Sequence, residues 1–164
     1  MFPRVCVMHY RHYKPEDFEA LYAIEEVCFQ QPFRFGRRYM QRLVSAANAT
    51  TWIAEDFEKM AGFAIAEWKP SLGGVSGYIQ TIEVAPEFRG QGVGRALLER
   101  IEESAGVAGA SMLWLHVDKT NATAIGLYES HRFMPVGEEA NYYAPGRGAL
   151  LYRKALNGTA SADE

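Results

Sequence analysis

The chain has 164 residues, 48% of them hydrophobic and 23% charged, the usual size and balance of one folded domain. At that length about 68–70% of the unfolded chain's surface can be buried, so a core with an enclosed site needs no disulfide or metal staple. Seventeen Lys and Arg against twenty Asp and Glu leave a formal net charge of -3, which excludes the basic excess of a general nucleic-acid binder and requires any anionic ligand to be met by a local patch.

Met1-Phe2-Pro3-Arg4 lacks the long apolar core of a signal peptide, and nowhere do roughly 20 apolar residues run together as a membrane span requires. The expectation is a soluble, cytoplasmic protein, monomer or homodimer, with no nucleic-acid or membrane partner. Cys6 and Cys28 form no CxxC pattern, so they suggest buried thiols rather than a disulfide framework or a metal site. After an opening strand, Glu16 to Phe29 repeats apolar residues at three and four, the spacing of a helix, with Pro15 suited to its first turn. Pro32 and Gly36 break that pattern, and a second helix follows from Arg37 to Ala47. Thr51 to Glu55 and Met60 to Trp68 are β-branched and aromatic, which predicts two strands joined by a turn near Phe57-Glu58-Lys59. Lys69 to Gly77, with Pro70, Gly73, Gly74 and Gly77, predicts a loop, and Tyr78 to Val84 a strand. Gly92 to Ala105 places Val93, Ala96, Leu97, Leu98 and Ile101 on one helical face. Met112 to Val117 reads as a buried strand, Ala122 to His131 as a short helix, and Phe133 to Val136 and Ala149 to Lys154 as two last strands. One domain over residues 1–156 is expected, with a small polar tail at 157–164.

Arg89-Gly90-Gln91-Gly92-Val93-Gly94 stands directly between the clearest strand and the clearest helix, with Pro86 making the turn. Glycines let backbone N–H groups converge on an oxyanion, and the helix starting there adds its positive end, so the segment can cradle a pyrophosphate. Arg89 and Arg95 add positive charge. Neither a P-loop, which needs lysine followed by Ser or Thr, nor the G-x-G-x-x-G fingerprint fits these residues.

Here the chain resembles the GNAT family of N-acetyltransferases, whose acetyl-CoA signature is Q/R-x-x-G-x-G/A. Arg89-x-x-Gly92-x-Gly94 matches it, as do Val84-Ala85-Pro86 before it, Asn121 to Tyr128 after it, and the order of elements. The resemblance implies an α/β (α+β) fold: a mixed, mostly antiparallel sheet of about seven strands, splayed between the fourth and fifth and flanked by about four helices. It further implies acetyl-CoA as cosubstrate and no metal. Ile82, Glu83 and Val84 would offer backbone groups to the pantetheine arm, Gly90 to Arg95 would hold the pyrophosphate, and Asn121 would bind CoA further along. Leu113 to Val117, Asn121 to Tyr128 and Asn141-Tyr142-Tyr143 look like the branch that acetylates protein N-termini. The bacterial ribosomal-protein-alanine enzymes of that branch carry a glutamate where this chain has His116. A eukaryotic San-type enzyme has histidine there, paired with a tyrosine that matches Tyr78.

Direct acetyl transfer needs a neutral amine, a proton acceptor and an acid for the departing thiolate. His116, with an imidazole pKa near ~6.5, suits the acceptor role, and Tyr78 would support it. Taken alone, a histidine in an apolar strand is a core or rim residue. Tyr128 lies two turns beyond Asn121, and a phenol of pKa ~10 can donate to a thiolate of roughly ~8.5. Glu83 is the alternative base, though alternation sets it opposite Ile82 and Val84 unless a bulge re-aims it. An α-amine of pKa ~7.7–8.0 is on the order of 10% neutral at pH 7, against about 0.04% for a lysine amine, so a weak base suits α-amines. By resemblance, Phe29, Pro32, Phe33 and Phe35 on one side and Tyr142 and Tyr143 on the other wall the acceptor site. A small-molecule amine as acceptor, or a non-catalytic CoA-binding module, remain the alternatives. Arg132 stands where the family has glycine after this helix, and a left-handed cap there would be strained by roughly 1 kcal/mol.

Overall fold

Residues 7–57 and 59–156 are described by the computed structural model. The N-terminal segment, Cys6, Glu58 of the expected turn and the expected tail lie outside the described residues. The elements follow as β1 (Met8–His12), a 3-10 turn (Pro15–Asp17), α1 (Phe18–Cys28), α2 (Arg37–Ser45), β2 (Ala49–Asp56), β3 (Lys59–Ser71) and β4 (Gly74–Val84). A second 3-10 turn (Pro86–Phe88) leads to α3 (Val93–Ala108), β5 (Ala110–Asp118), α4 (Ala122–Ser130), β6 (Met134–Ala144) and β7 (Arg147–Ala155). The strands form one sheet in the order β1-β2-β3-β4-β5-β7-β6. Every pairing is antiparallel except β4 with β5, which α3 joins as a crossover.

α1 and α3 end where their sequence provides a stop. α1 buries Phe18, Leu21, Tyr22 and Ile24 on one face and leaves the helical region at extended Phe29, short of Pro32. α3 buries Leu97, Leu98, Ile101 and Ala105 and ends on Gly109, whose φ of 77° places it in the left-handed region. Arg132 takes the left-handed cap after α4 with φ 70°, and the Phe133 N–H closes the turn onto the Tyr128 carbonyl at 3.0 Å. Opposite β4 faces meet different helices. Glu83 reaches Glu25 of α1, whereas a Cβ on Gly94 of α3 would stand 3.7 Å from the Val84 side chain. The core lies between, with Phe63, Ile65, Leu113 and Leu115 fully buried in the central strands.

Two expectations need correcting. Residues 69–77 are not a loop: β3 runs to Ser71 and β4 starts at Gly74. Pro70 is tolerated because β2 stops pairing with β3 at Glu67, so this end of β3 is an edge on that side. Gly77 is a close-approach position, since a Cβ there would fall 2.6 Å from the Trp68 ring and 2.7 Å from Leu113. The sixth strand is also longer than Phe133 to Val136: β6 is an exposed edge that extends to Ala144, broken by register shifts at Pro135/Gly137 and Glu139/Ala144.

The sheet opens where the fourth and fifth strands part. Their pairing ends at Ile79 with Leu115, after which β5 leans on β7 through His116, Val117 and Asp118. β4 leans on β3, and a bulge at Gln80 eases the divergence, since Ile79 pairs with Ala66 and Thr81 with Ile65. The edge from Gln80 to Val84 therefore has no partner strand on the β5 side.

Candidate active site

A cavity of about 930 Å³ fills this opening. His116, the first residue of β5 past the last pair, lines it together with Tyr78 of β4 and Asn121 and Tyr128 of α4. All six aromatic-wall candidates line it too: Phe29, Pro32, Phe33 and Phe35 from the α1–α2 loop, and Tyr142 and Tyr143 from the β6–β7 hairpin. The walls touch. Phe33 meets Tyr143 edge-on with ring centroids 4.8 Å apart, and Arg147, paired with Asp118, lies over the Phe33 ring at 4.6 Å.

The candidate base and its partner are joined. Tyr78 Oη is 2.7 Å from His116 Nδ1, and the imidazole stacks on Tyr142 at 4.2 Å with 9° between the rings. Burial, reinforced by the hydrogen bond with Tyr142, pushes the Tyr78 phenol far above its ordinary value, so it stays protonated. His116 Nε2 is hydrogen-bonded to Glu139 Oε2, a contact that nothing in the sequence signalled. Glu139 sits on a polar edge strand without the alternation that marks a functional face, and only the hairpin's fold brings it across from residue 116.

Tyr128 is 7% exposed and packs edge-on to Phe133. Burial, then the charge on Tyr143, raises its pKa far above the phenol norm. That changes the expected chemistry: full proton transfer to a thiolate becomes steeply uphill, so Tyr128 is suited to stabilising sulfur by hydrogen bonding. Asn121 is already a helix cap, its Oδ1 accepting from the Ala124 N–H at 3.1 Å. Its Nδ2 remains available to a ligand.

Glu83 does not line the cavity. The bulge falls at Gln80, upstream, so alternation holds and the Glu83 carboxyl turns toward α1, 3% exposed beside the fully buried Glu25. Burial, then the hydrogen bond and charge of Glu25, raises it well above the carboxylate range. Oε1 of both residues is buried with no other partner among the described residues, the arrangement of two carboxyls that hold one proton. Glu83 Oε2 accepts from Thr81 Oγ1 at 2.8 Å, and Glu25 Oε2 accepts from the Phe35 N–H at 3.0 Å. The pair thus ties β4 to the aromatic wall.

At the glycine turn, Gly90 and Gly92 have φ of 77° and 79°, and no side chain caps the start of α3. Its first-turn amides face outward as an anion cradle. A Cβ on Gly94 would stand between the Val84 and Leu127 side chains. Val93 can offer a ligand only its backbone, since its side chain is in the core. Arg89 is exposed, and its guanidinium is anchored on the Val84 carbonyl at 3.0 Å and Cys28 Sγ at 3.4 Å. The Val84 carbonyl is therefore engaged, while Gln91 and Arg95 are exposed. Cys28 is half-buried rather than buried. The residues present thus fit a pyrophosphate and an extended arm along the free edge of β4.

The sequence profile of the acetyltransferase (GNAT) family matches residues 18–133. The chain belongs to this family. Among its relatives is the [ribosomal protein bS18]-alanine N-acetyltransferase of Escherichia coli K12, 40% identical over 85 residues, 52% of this chain and 55% of that protein. Streptothricin acetyltransferase of Streptomyces lavendulae is 36% identical over 101 residues, covering 59% of this chain and 51% of that protein. The chain thus spans about half the length of these curated relatives. The crystal structure of the Escherichia coli ribosomal-protein-S18-alanine N-acetyltransferase superposes with a TM-score of 0.82 at 26% identity, over 96% of this chain and 99% of that one. The seven strands, the parallel β4–β5 pair and the four α-helices are the family's fold.

Proposed function

We propose that the protein transfers an acetyl group from acetyl-CoA directly to a primary amine, the N-terminal α-amine of a protein or peptide. The observation that carries the proposal is the hydrogen-bonded Tyr78–His116 pair at the mouth of the β4–β5 opening, in the same cavity as Tyr128 and within an aromatic wall. The cradle at Gly90 to Arg95 holds the pyrophosphate, and the free edge of β4 guides the arm. The thioester then enters the cavity from the α3 end, while the amine enters between the α1–α2 loop and the β6–β7 hairpin. The Tyr78–His116 pair takes the proton that the amine loses on attack, and Tyr128 donates a hydrogen bond to the departing sulfur. Glu83, outside the cavity and turned toward Glu25 of α1, is not the base. A weak base favours α-amines over lysine amines by their neutral fractions, about 10% against about 0.04% at pH 7. The proposed unit is one acetyltransferase domain over residues 1–156, working in the cytoplasm; no described helix is long and apolar enough to cross a membrane.

The second reading, acetylation of a small amine, is favoured by the likeness to streptothricin acetyltransferase. A mass-spectrometric acceptor screen of peptide N-termini, polyamines and aminoglycosides with acetyl-CoA separates the two. Tight CoA binding without turnover on any acceptor, unaltered by His116→Ala, would instead identify a binding module.

A further inference from the structure

His116 makes two hydrogen bonds whose partners are not equivalent. Nε2 meets the Glu139 carboxylate, which can only accept, whereas Nδ1 meets the Tyr78 hydroxyl at 2.7 Å, which can do either. The cations near Glu139 are occupied elsewhere: Lys119 pairs with Glu138 and Arg147 with Asp118. Stacking on Tyr142 fixes the plane of the ring. With the Nδ1–H tautomer, two acceptors would face one another across Nε2.

We infer that Glu139 is a positioning residue that holds neutral His116 as the Nε2–H tautomer and so makes the Tyr78 hydroxyl, rather than the imidazole, the group that meets the amine. The tautomer leaves Nδ1 bare, and Tyr78 commits its one hydrogen to it. The phenol oxygen then accepts from the Tyr142 hydroxyl at 3.4 Å on one side and keeps a lone pair for the cavity. For its chemistry the inference rests on the acetyl-transfer reading. As the amine attacks, its lone pair forms the bond to the acetyl carbon and the C–S bond breaks with its electron pair on sulfur, which leaves as the CoA thiolate and takes a proton from water. The amine's N–H bond breaks with the electron pair kept on nitrogen, and the proton passes to Tyr78 Oη. The original Tyr78 proton moves to Nδ1, and the imidazolium sits against the Glu139 carboxylate until it returns the proton to water. No phenolate accumulates, in keeping with the raised Tyr78 pKa. Glu139 is half exposed, its side chain 52% accessible, so its contribution to stability is small and its effect lies in orientation.

The test reads the tautomer first. Long-range 1H–15N spectra of the 15N-histidine-labelled full chain, with His116 assigned by His116→Asn, are expected to show Nε2–H in the wild type and a shift toward Nδ1–H in Glu139→Ala. With acetyl-CoA and a peptide acceptor, Glu139→Ala should lower kcat about tenfold with KM for acetyl-CoA unchanged. Glu139→Asp should restore part of the loss, and Glu103→Ala, which removes the same charge from the exposed face of α3, should leave kcat unchanged. An Nδ1–H tautomer in the wild type, or tautomer and kcat both unmoved by Glu139→Ala, would overturn the inference. A wild-type chain that acetylates nothing would overturn the acetyl-transfer reading instead, and the tautomer measurement would still decide the role of Glu139.

Discussion

Gly92 suits the proposed anion cradle for conformational reasons, since a Cβ there meets no atom within 4 Å but the φ is 79°. A side chain at that φ costs roughly 1–2 kcal/mol and pulls the first-turn amides of α3 out of convergence. Gly92→Val should therefore weaken CoA binding at least about tenfold, a loss readable by calorimetry, while lowering thermal stability only slightly. Tyr128 tests a different step. It lines the cavity and its hydroxyl makes no hydrogen bond among the described residues. Tyr128→Phe should lower kcat by about ten- to a hundredfold with the Kd for CoA within about twofold. Equal losses in both would place the phenol in binding rather than in turnover.

Among the elements, β4 combines most of the roles: it supplies Tyr78 to the cavity, an unpaired edge from Gln80 onward, and Glu83 to the buried carboxyl pair. The pair has a pH signature whose sign follows from the raised Glu83 pKa. Protonated Glu83 is favoured by the fold, so its contribution is intact below the ordinary carboxyl value of 4.5 and is lost as pH rises toward the folded value. Glu83→Gln keeps a donor for Glu25 without a proton to lose. Its Tm should match the wild type near about pH 4 and exceed it increasingly toward about pH 8. A constant difference across that range would mean that the pair holds no special proton. A second fixed point braces the N-terminal end of the sheet, where Arg11 bridges Asp17 at 2.8 Å and Glu55 at 2.9 Å and holds both carboxyls below their usual range. Elements with a buried stripe, such as α3 and β5, were legible from periodicity because burial dictates their pattern. β6 was not, since as an exposed edge with Gly137 and Asn141 it has no apolar alternation to display. The β3–β4 turn was misread because Pro70 and Gly77 look like loop residues until the edge and the Trp68 ring that accommodate them are known.

For the molecule as a whole, the formal charge of -3 and the proposed polyanionic cosubstrate are reconciled by placement. In the proposed site, backbone donors at the start of α3 serve the anion without a basic surplus in the chain. The candidate site was legible in parts that sequence spacing preserves: the glycine turn, the Asn121–Tyr128 segment, and Tyr78 with His116, all singled out through family resemblance. What spacing could not convey was how side chains turn. Arg89 folds back onto Val84, Glu83 faces α1, and Glu139 arrives beside His116 from a strand 23 residues away in sequence. The most direct measurement of the central claim is time-resolved mass spectrometry of acetyl transfer from acetyl-CoA to a peptide library with free α-amines and lysines, run with the wild type and with Tyr78→Phe. The expected result is acetylation at the α-amine by the wild type, with kcat reduced about a hundredfold in Tyr78→Phe. Acetylation of lysine or small amines alone, or equal rates in both proteins, would contradict it.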